Sequence, residues 1–151
     1  MRTLNGIDEL ETLVGEHLGT SDWVDITQER IDLFAEATGD HQWIHVDPEQ
    51  AKNGPFGATI AHGYLTLSLL PLFYSTIYRV EGVRMGINYG ANKVRFLTPV
   101  PVGSRVRGSI EVGEVKRVPN GGAQVTWNVT VELEGSEKPA CYAEAISVMY
   151  T

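Results

Sequence analysis

From residue 124 to residue 134 apolar and polar positions alternate without a break. Val125, Trp127, Val129, Val131 and Leu133 share one face, and Thr126, Asn128, Thr130, Glu132 and Glu134 the other. A period of two predicts a half-buried antiparallel strand. Residues 105–118 alternate through Val106, Ile110 and Val112 and change phase after Gly113, which predicts a β-bulge. Pro119-Asn120-Gly121-Gly122 reads as the turn joining these two strands. Further strands fit residues 87–97 and 141–150, with a short first one at 21–24.

The first half carries the helical period. Thr27 is placed to cap a helix running to Thr38, with Ile26 and Ile31 as a hydrophobic staple and Ile31, Phe34, Ala35 and Thr38 along one stripe. Gly39 ends it. Asp47-Pro48-Glu49-Gln50 predicts a second start, with Asp47 as cap, Pro48 in the first position and Gln50 closing a capping box. Residues 62–78 place Leu65, Leu67, Leu69, Leu70, Leu72, Phe73 and Ile77 on nearly every face, which predicts a buried helix. The expected class is α+β: one long buried helix wrapped by a curved antiparallel sheet of about five strands, in a single domain over 1–151.

Composition narrows the setting. The chain has 151 residues and a net charge of −7, so nucleic acid is not an expected partner. The one cysteine, Cys141, allows no internal disulfide and sits in a predicted strand as a small core residue. A cytoplasmic location follows as the simplest expectation, since no export signal is visible. The longest apolar stretch, 64–78, is interrupted by Thr66, Ser68, Pro71, Ser75 and Thr76, and no membrane span is expected. The charge is uneven: −9 over residues 1–78, +5 over 79–117 and −3 over 118–151. The basic middle is either solvated strand surface or a site for a small phosphate-bearing ligand.

Two segments carry candidate chemistry. Gly39-Asp40-His41-Gln42-Trp43-Ile44-His45 places a carboxylate and imidazoles on a short loop between helices, where Asp40 and His45 can reach one water. The same residues also make an ordinary turn. Ala61-His62-Gly63-Tyr64 opens the long helix, where a free Gly63 N–H can stabilise developing negative charge, or Gly63 simply relieves crowding. No metal-ligand spacing, phosphate loop or nucleophile elbow is present.

Three blocks then resemble a known family. Residues 34–45 followed by Ala51 resemble the signature F-A-x-x-[ST]-G-D-x-N-P-[ILV]-H-x5-A of the MaoC-like (R)-specific enoyl-CoA hydratases. Residues 60–65 are similar to the family's I-A-H-G-[MY]-L, and 93–103 to its R-F-x-x-P-V-x-x-G block. The blocks keep family order and span nearly the whole chain. The resemblance implies a hot-dog fold and reversible hydration of trans-2-enoyl thioesters to (R)-3-hydroxyacyl thioesters. It implies Asp40 and His45 as the catalytic pair and the Gly63 N–H as the oxyanion donor. Gln42 and Trp43 replace the usual Asn and Pro, so they, with His62, are candidate substrate-positioning residues. No cofactor and no metal are implied; the partners are an acyl group on coenzyme A or an acyl carrier protein and a second copy in a homodimer. Lys93 and Arg95 are candidate contacts for coenzyme A phosphates. A hot-dog thioesterase and a non-catalytic acyl-thioester binding subunit are the alternatives.

Overall fold

Strand β7 (Ala123–Leu133) buries Val125, Trp127, Val129 and Val131 completely, as its period demands. It lies at the centre of a six-stranded antiparallel sheet. β6 (Arg105–Arg117) and β8 (Cys141–Tyr150) flank it, β5 (Met85–Phe96) pairs with β8, and two short strands, β2 (His17–Thr20) and β3 (Val24–Asp25), both pair with β6. The computed structural model describes residues 1–151. The bulge falls where the phase change predicts it: the β6–β7 register shifts between Val112 and Glu114. One strand was expected at 21–24, but two form around it. Ser21 separates them, its N–H donating to the Gly108 carbonyl (2.8 Å) and its hydroxyl accepting from the Gly108 N–H (2.9 Å), so it stays stitched to β6.

The sheet wraps the apolar helix, with one correction. The segment is two helices, α5 (Gly63–Ser68) and α6 (Leu70–Ile77), which meet at Leu69. Pro71 has no N–H to donate to the Leu67 carbonyl and its ring crowds that turn, so the helix breaks there. The pair is also not covered all round. Leu65, Leu69, Leu70, Phe73 and Ile77 face the core, whereas Tyr64, Ser68, Leu72 and Ser75 form an exposed stripe. Phe73 seats against Gly108 of β6, where a Cβ would meet its ring at 2.7 Å. Tyr78 stacks on Trp127, whose indole N–H donates to Ser147 Oγ at 2.9 Å.

The amino terminus adds two elements too short for a pattern to announce. β1 (Arg2–Leu4) pairs in parallel with β4 (Tyr78–Val80), and α1 (Gly6–Thr12) sends Ile7 and Leu10 into the same cluster of 28 buried core residues. Cys141 joins that cluster, and burial pushes its thiol up to about 11. No helix is long and apolar enough to cross a membrane.

Candidate active site

The loop that carries Asp40 and His45 is held at both ends by helix chemistry. Helix α2 (Gln28–Thr38) begins with Thr27 Oγ accepting from the Arg30 N–H at 3.1 Å and ends at Gly39. Gly39 has φ +81°, the left-handed turn that reverses the chain and that glycine adopts without a Cβ clash. The loop then enters the single-turn α3 (Trp43–Val46) and, past Asp47, α4 (Pro48–Lys52), where Asp47 caps through the Gln50 N–H at 3.1 Å.

This path brings Asp40, His45 and His62 together: ligand-capable atoms of the three lie within 4.8 Å of one another. Asp40 is exposed, and its carboxylate accepts from the Gln42 N–H at 3.3 Å. His45 is buried, at 7% exposure. Its Nδ1 lies 2.7 Å from the Ile60 carbonyl, and since a carbonyl only accepts, Nδ1 carries the proton and Nε2 keeps a free lone pair. Burial, with a smaller contribution from neighbouring His62, lowers the His45 pKa below its usual 6.5, while the Ile60 hydrogen bond and Asp40 oppose that shift. At neutral pH His45 is therefore a neutral base.

His62 is almost fully buried, at 2% exposure. Its Nε2–H donates to the Asp40 backbone carbonyl at 2.9 Å, and its ring stacks on His45 with centroids 3.8 Å apart. Gly63 opens α5, and its N–H donates to no backbone carbonyl. A Cβ on Gly63 would meet the Phe96 ring at 2.8 Å, so the missing side chain makes room for Phe96. His45, Gly63, Thr66, Phe96 and Thr98 line one cavity of about 240 Å³.

Several sequence candidates sit elsewhere. The Gln42 side chain is exposed, and Trp43 packs on Gly54, where a Cβ would come within 2.9 Å of its ring. Neither they nor His62 lines the cavity. Lys93 and Arg95 alternate along β5 with Val94 and Phe96, which places them on the sheet face opposite the Phe96 ring. The basic stretch is largely neutralised: Arg79, Arg105, Arg107, Lys116 and Arg117 pair with carboxylates, and Arg84 donates to the Thr151 carbonyl. Arg84, Lys93 and Arg95 are the three of its eight cations without a carboxylate partner; Arg95 donates to the Val94 carbonyl at 2.7 Å, and Lys93 lies over the Tyr142 ring. Sequence reasoning missed Gln28 and Thr59. Gln28 Nε2 donates to the His45 carbonyl at 2.8 Å while its Oε1 accepts from Thr59 Oγ at 2.6 Å. Only the helix-capping neighbourhood of Gln28 hinted at it.

Comparison with known proteins fits this geometry. The model of the MaoC like domain matches residues 9–134. The chain is 59% identical over 146 residues to 3-hydroxyacyl-thioester dehydratase Z of Mycobacterium tuberculosis, covering 97% of each chain. It is 45% identical over 143 residues to nodulation protein N of Rhizobium leguminosarum bv. viciae, covering 93% of this chain and 89% of the relative. Among solved structures it is similar to the R-hydratase PhaJ1 of Pseudomonas aeruginosa, with a TM-score of 0.74, 26% identity and coverage of 96% and 85% of the two chains. With the family model covering most of its length, and a central helix wrapped by an antiparallel sheet as in the hot-dog fold, this chain belongs to the MaoC-like dehydratase family.

Proposed function

We propose that the protein is a hydro-lyase that adds water reversibly across the double bond of trans-2-enoyl thioesters to give (R)-3-hydroxyacyl thioesters. The observation that carries this is the spacing of Asp40 and His45. A carboxylate oxygen of Asp40 and an imidazole nitrogen of His45 lie within 4.8 Å, yet the two side chains share no direct hydrogen bond, a gap that one water in contact with both would span. In the hydration direction the water oxygen bonds to C3 and the electron pair of the double bond moves through C2 onto the thioester oxygen. The water's proton passes to the pair, the Gly63 N–H donates to the developing enolate oxygen, and the pair delivers one proton to C2 as the carbonyl re-forms. Dehydration is the reverse. Because both groups would contact the same water, the pair and not either member is the acid–base unit.

No metal enters this scheme. The His45 and His62 rings stack at an interplanar angle of 24°, so their in-plane lone pairs do not converge on one point, and His62 Nε2 is already committed to Asp40. The acyl tail has a matching site. Leu67, Leu70 and Tyr74 follow Gly63 at i+4, i+7 and i+11, and that stripe lines a second, mostly apolar cavity of about 430 Å³ between the helices and strands β5 and β8. Lys93 and Arg95, which have no carboxylate partner, would contact phosphates of coenzyme A or of a carrier protein's prosthetic arm.

The active form is a homodimer built on β5. That strand runs for 12 residues, pairs only with β8, and exposes Met85, Ile87, Tyr89 and Phe96 beside the open helix face at Tyr64 and Leu72. An apolar open edge of this length is a template for a second chain.

Adding the protein to crotonyl-CoA should abolish the conjugated enoyl absorbance without releasing free thiol. Asp40→Asn and His45→Asn should each lower kcat by about 10²- to 10⁴-fold. Thiol release in place of hydration would make it a thioesterase, and binding without turnover a carrier subunit.

A further inference from the structure

His62 touches neither the cavity nor any atom assigned to substrate, yet its ring is in contact with both members of the reacting pair. We propose that His62 is a positioning residue that sets the spacing of Asp40 and His45, its Nε2–H anchoring the Asp40 backbone and its ring supporting the face of the His45 imidazole. The inference rests on the hydratase reading of the site and assigns that site a third histidine role.

The argument starts from what holds Asp40. Its carboxylate lies on an exposed loop, and the side chain's one protein hydrogen bond is the 3.3 Å contact from the Gln42 N–H. The backbone carbonyl is gripped better, by a buried imidazole at 2.9 Å. That imidazole lies at the start of α5, immediately before Gly63, so one short segment carries both the proposed oxyanion donor and the anchor for the acid. His45 is fixed independently. Its ring is set by the Ile60 carbonyl, its backbone by Gln28, and its flat face by His62. His62 is thus the element that ties the exposed member of the pair to the buried one.

The same contacts dictate its protonation. A carbonyl accepts only, so Nε2 bears the proton, and Nδ1 is buried with no hydrogen-bond partner in the protein. Protonating Nδ1 would create a buried cation with an unpaired N–H. Phe34 of α2 covers the ring from another side, with centroids 4.9 Å apart, and the ionisable groups that face it are Asp40 and His45. Two stacked imidazoles 3.8 Å apart do not both hold a charge, so His62 disfavours the His45 cation.

Two substitutions separate the anchor from the stack. His62→Phe keeps an aromatic face and loses the donor, while His62→Gln keeps a donor and loses the second imidazole. For crotonyl-CoA, His62→Phe should lower kcat by roughly 10- to 100-fold with KM within about threefold of wild type, the mark of a misplaced acid and not of lost binding. His62→Gln should retain kcat within about threefold, and its acid limb of kcat/KM should move to higher pH as the neighbour that disfavours the His45 cation is removed. Titration of the His45 ring nitrogens by NMR reads that last shift without any turnover. If the wild type hydrates nothing, the hydratase reading fails, and the titration still decides whether His62 governs His45. The proposal is overturned if His62→Phe keeps wild-type kcat, or if both variants lose activity equally with the His45 titration unmoved. Should His62→Phe fail to fold, the His62→Gln kcat and titration decide alone.

Discussion

Strands β7 and β5 belong to the same sheet and have opposite surroundings. Every second residue of β7 is sealed, and Trp127 at its centre is fully buried. β5 is open almost throughout, although it carries Met85, Ile87, Tyr89, Val94 and Phe96. One chain therefore completes its own core around β7 and leaves unfinished the edge where Phe96 meets Gly63 of the candidate cavity. Stability resides in the first region, and the proposed chemistry borders the second. The contrast is what the proposed homodimer accounts for: the pattern of β5 suits a surface that a second copy would cover.

The largest effect should come from breaking the closed side. Trp127→Ala removes a fully buried indole and strands its hydrogen-bond partner Ser147, and should cost about 3–5 kcal/mol of unfolding free energy in denaturant titration. Breaking the open side should do the reverse. Ile87→Asp places a charge on the exposed edge, and should convert a dimer to a monomer by light scattering, with activity falling alongside while the secondary structure persists.

What was legible in the sequence follows the same division. β7, the Gly113 bulge, the Thr27 and Asp47 caps and the Gly39 stop are local patterns, and each formed where its residues predict. Of the Asp47 capping box, the bond to the Gln50 N–H formed. The pattern over 62–78 predicts one buried helix because its apolar residues cover nearly every face, some of them on behalf of the open side and not the core. Pro71 was visible but its break was not inferred. In the site, the Asp40–His45 pairing was legible because both sit on one loop. His62 and Gln28 were not legible as clamps, since each acts across 17 to 22 residues of chain. The use of the +5 stretch was not legible for a related reason: Arg105 and Arg107 find carboxylates on the neighbouring strand and Arg117 finds them on α1, which leaves Arg84, Lys93 and Arg95 without one.

A smaller effect tests the electrostatics that distinguish buried His45 from exposed Asp40. The folded-state pKa of His45 is lowered, so folding favours its neutral form. That contribution is fully present above the unfolded pKa of about 6.5 and is lost as pH falls below it towards the folded value. Thermal midpoints measured between neutral and mildly acid pH should fall for the wild type, and fall less for His45→Asn. The same shift should keep His45 a competent base to somewhat below pH 6.5, displacing the acid limb of the activity profile downwards. The smallest effect is at Cys141: its buried thiol, raised to about 11, should resist a thiol reagent in the native protein and react on unfolding.

The most direct test of the account is the product formed from crotonyl-CoA in deuterium oxide, read by mass spectrometry and chiral chromatography. Asp40 and His45 acting on one water predict (R)-3-hydroxybutyryl-CoA with the hydroxyl at C3 and one deuterium at C2, in amounts that collapse in Asp40→Asn and His45→Asn. Free crotonate, the S product, or undiminished hydration by both variants would contradict it.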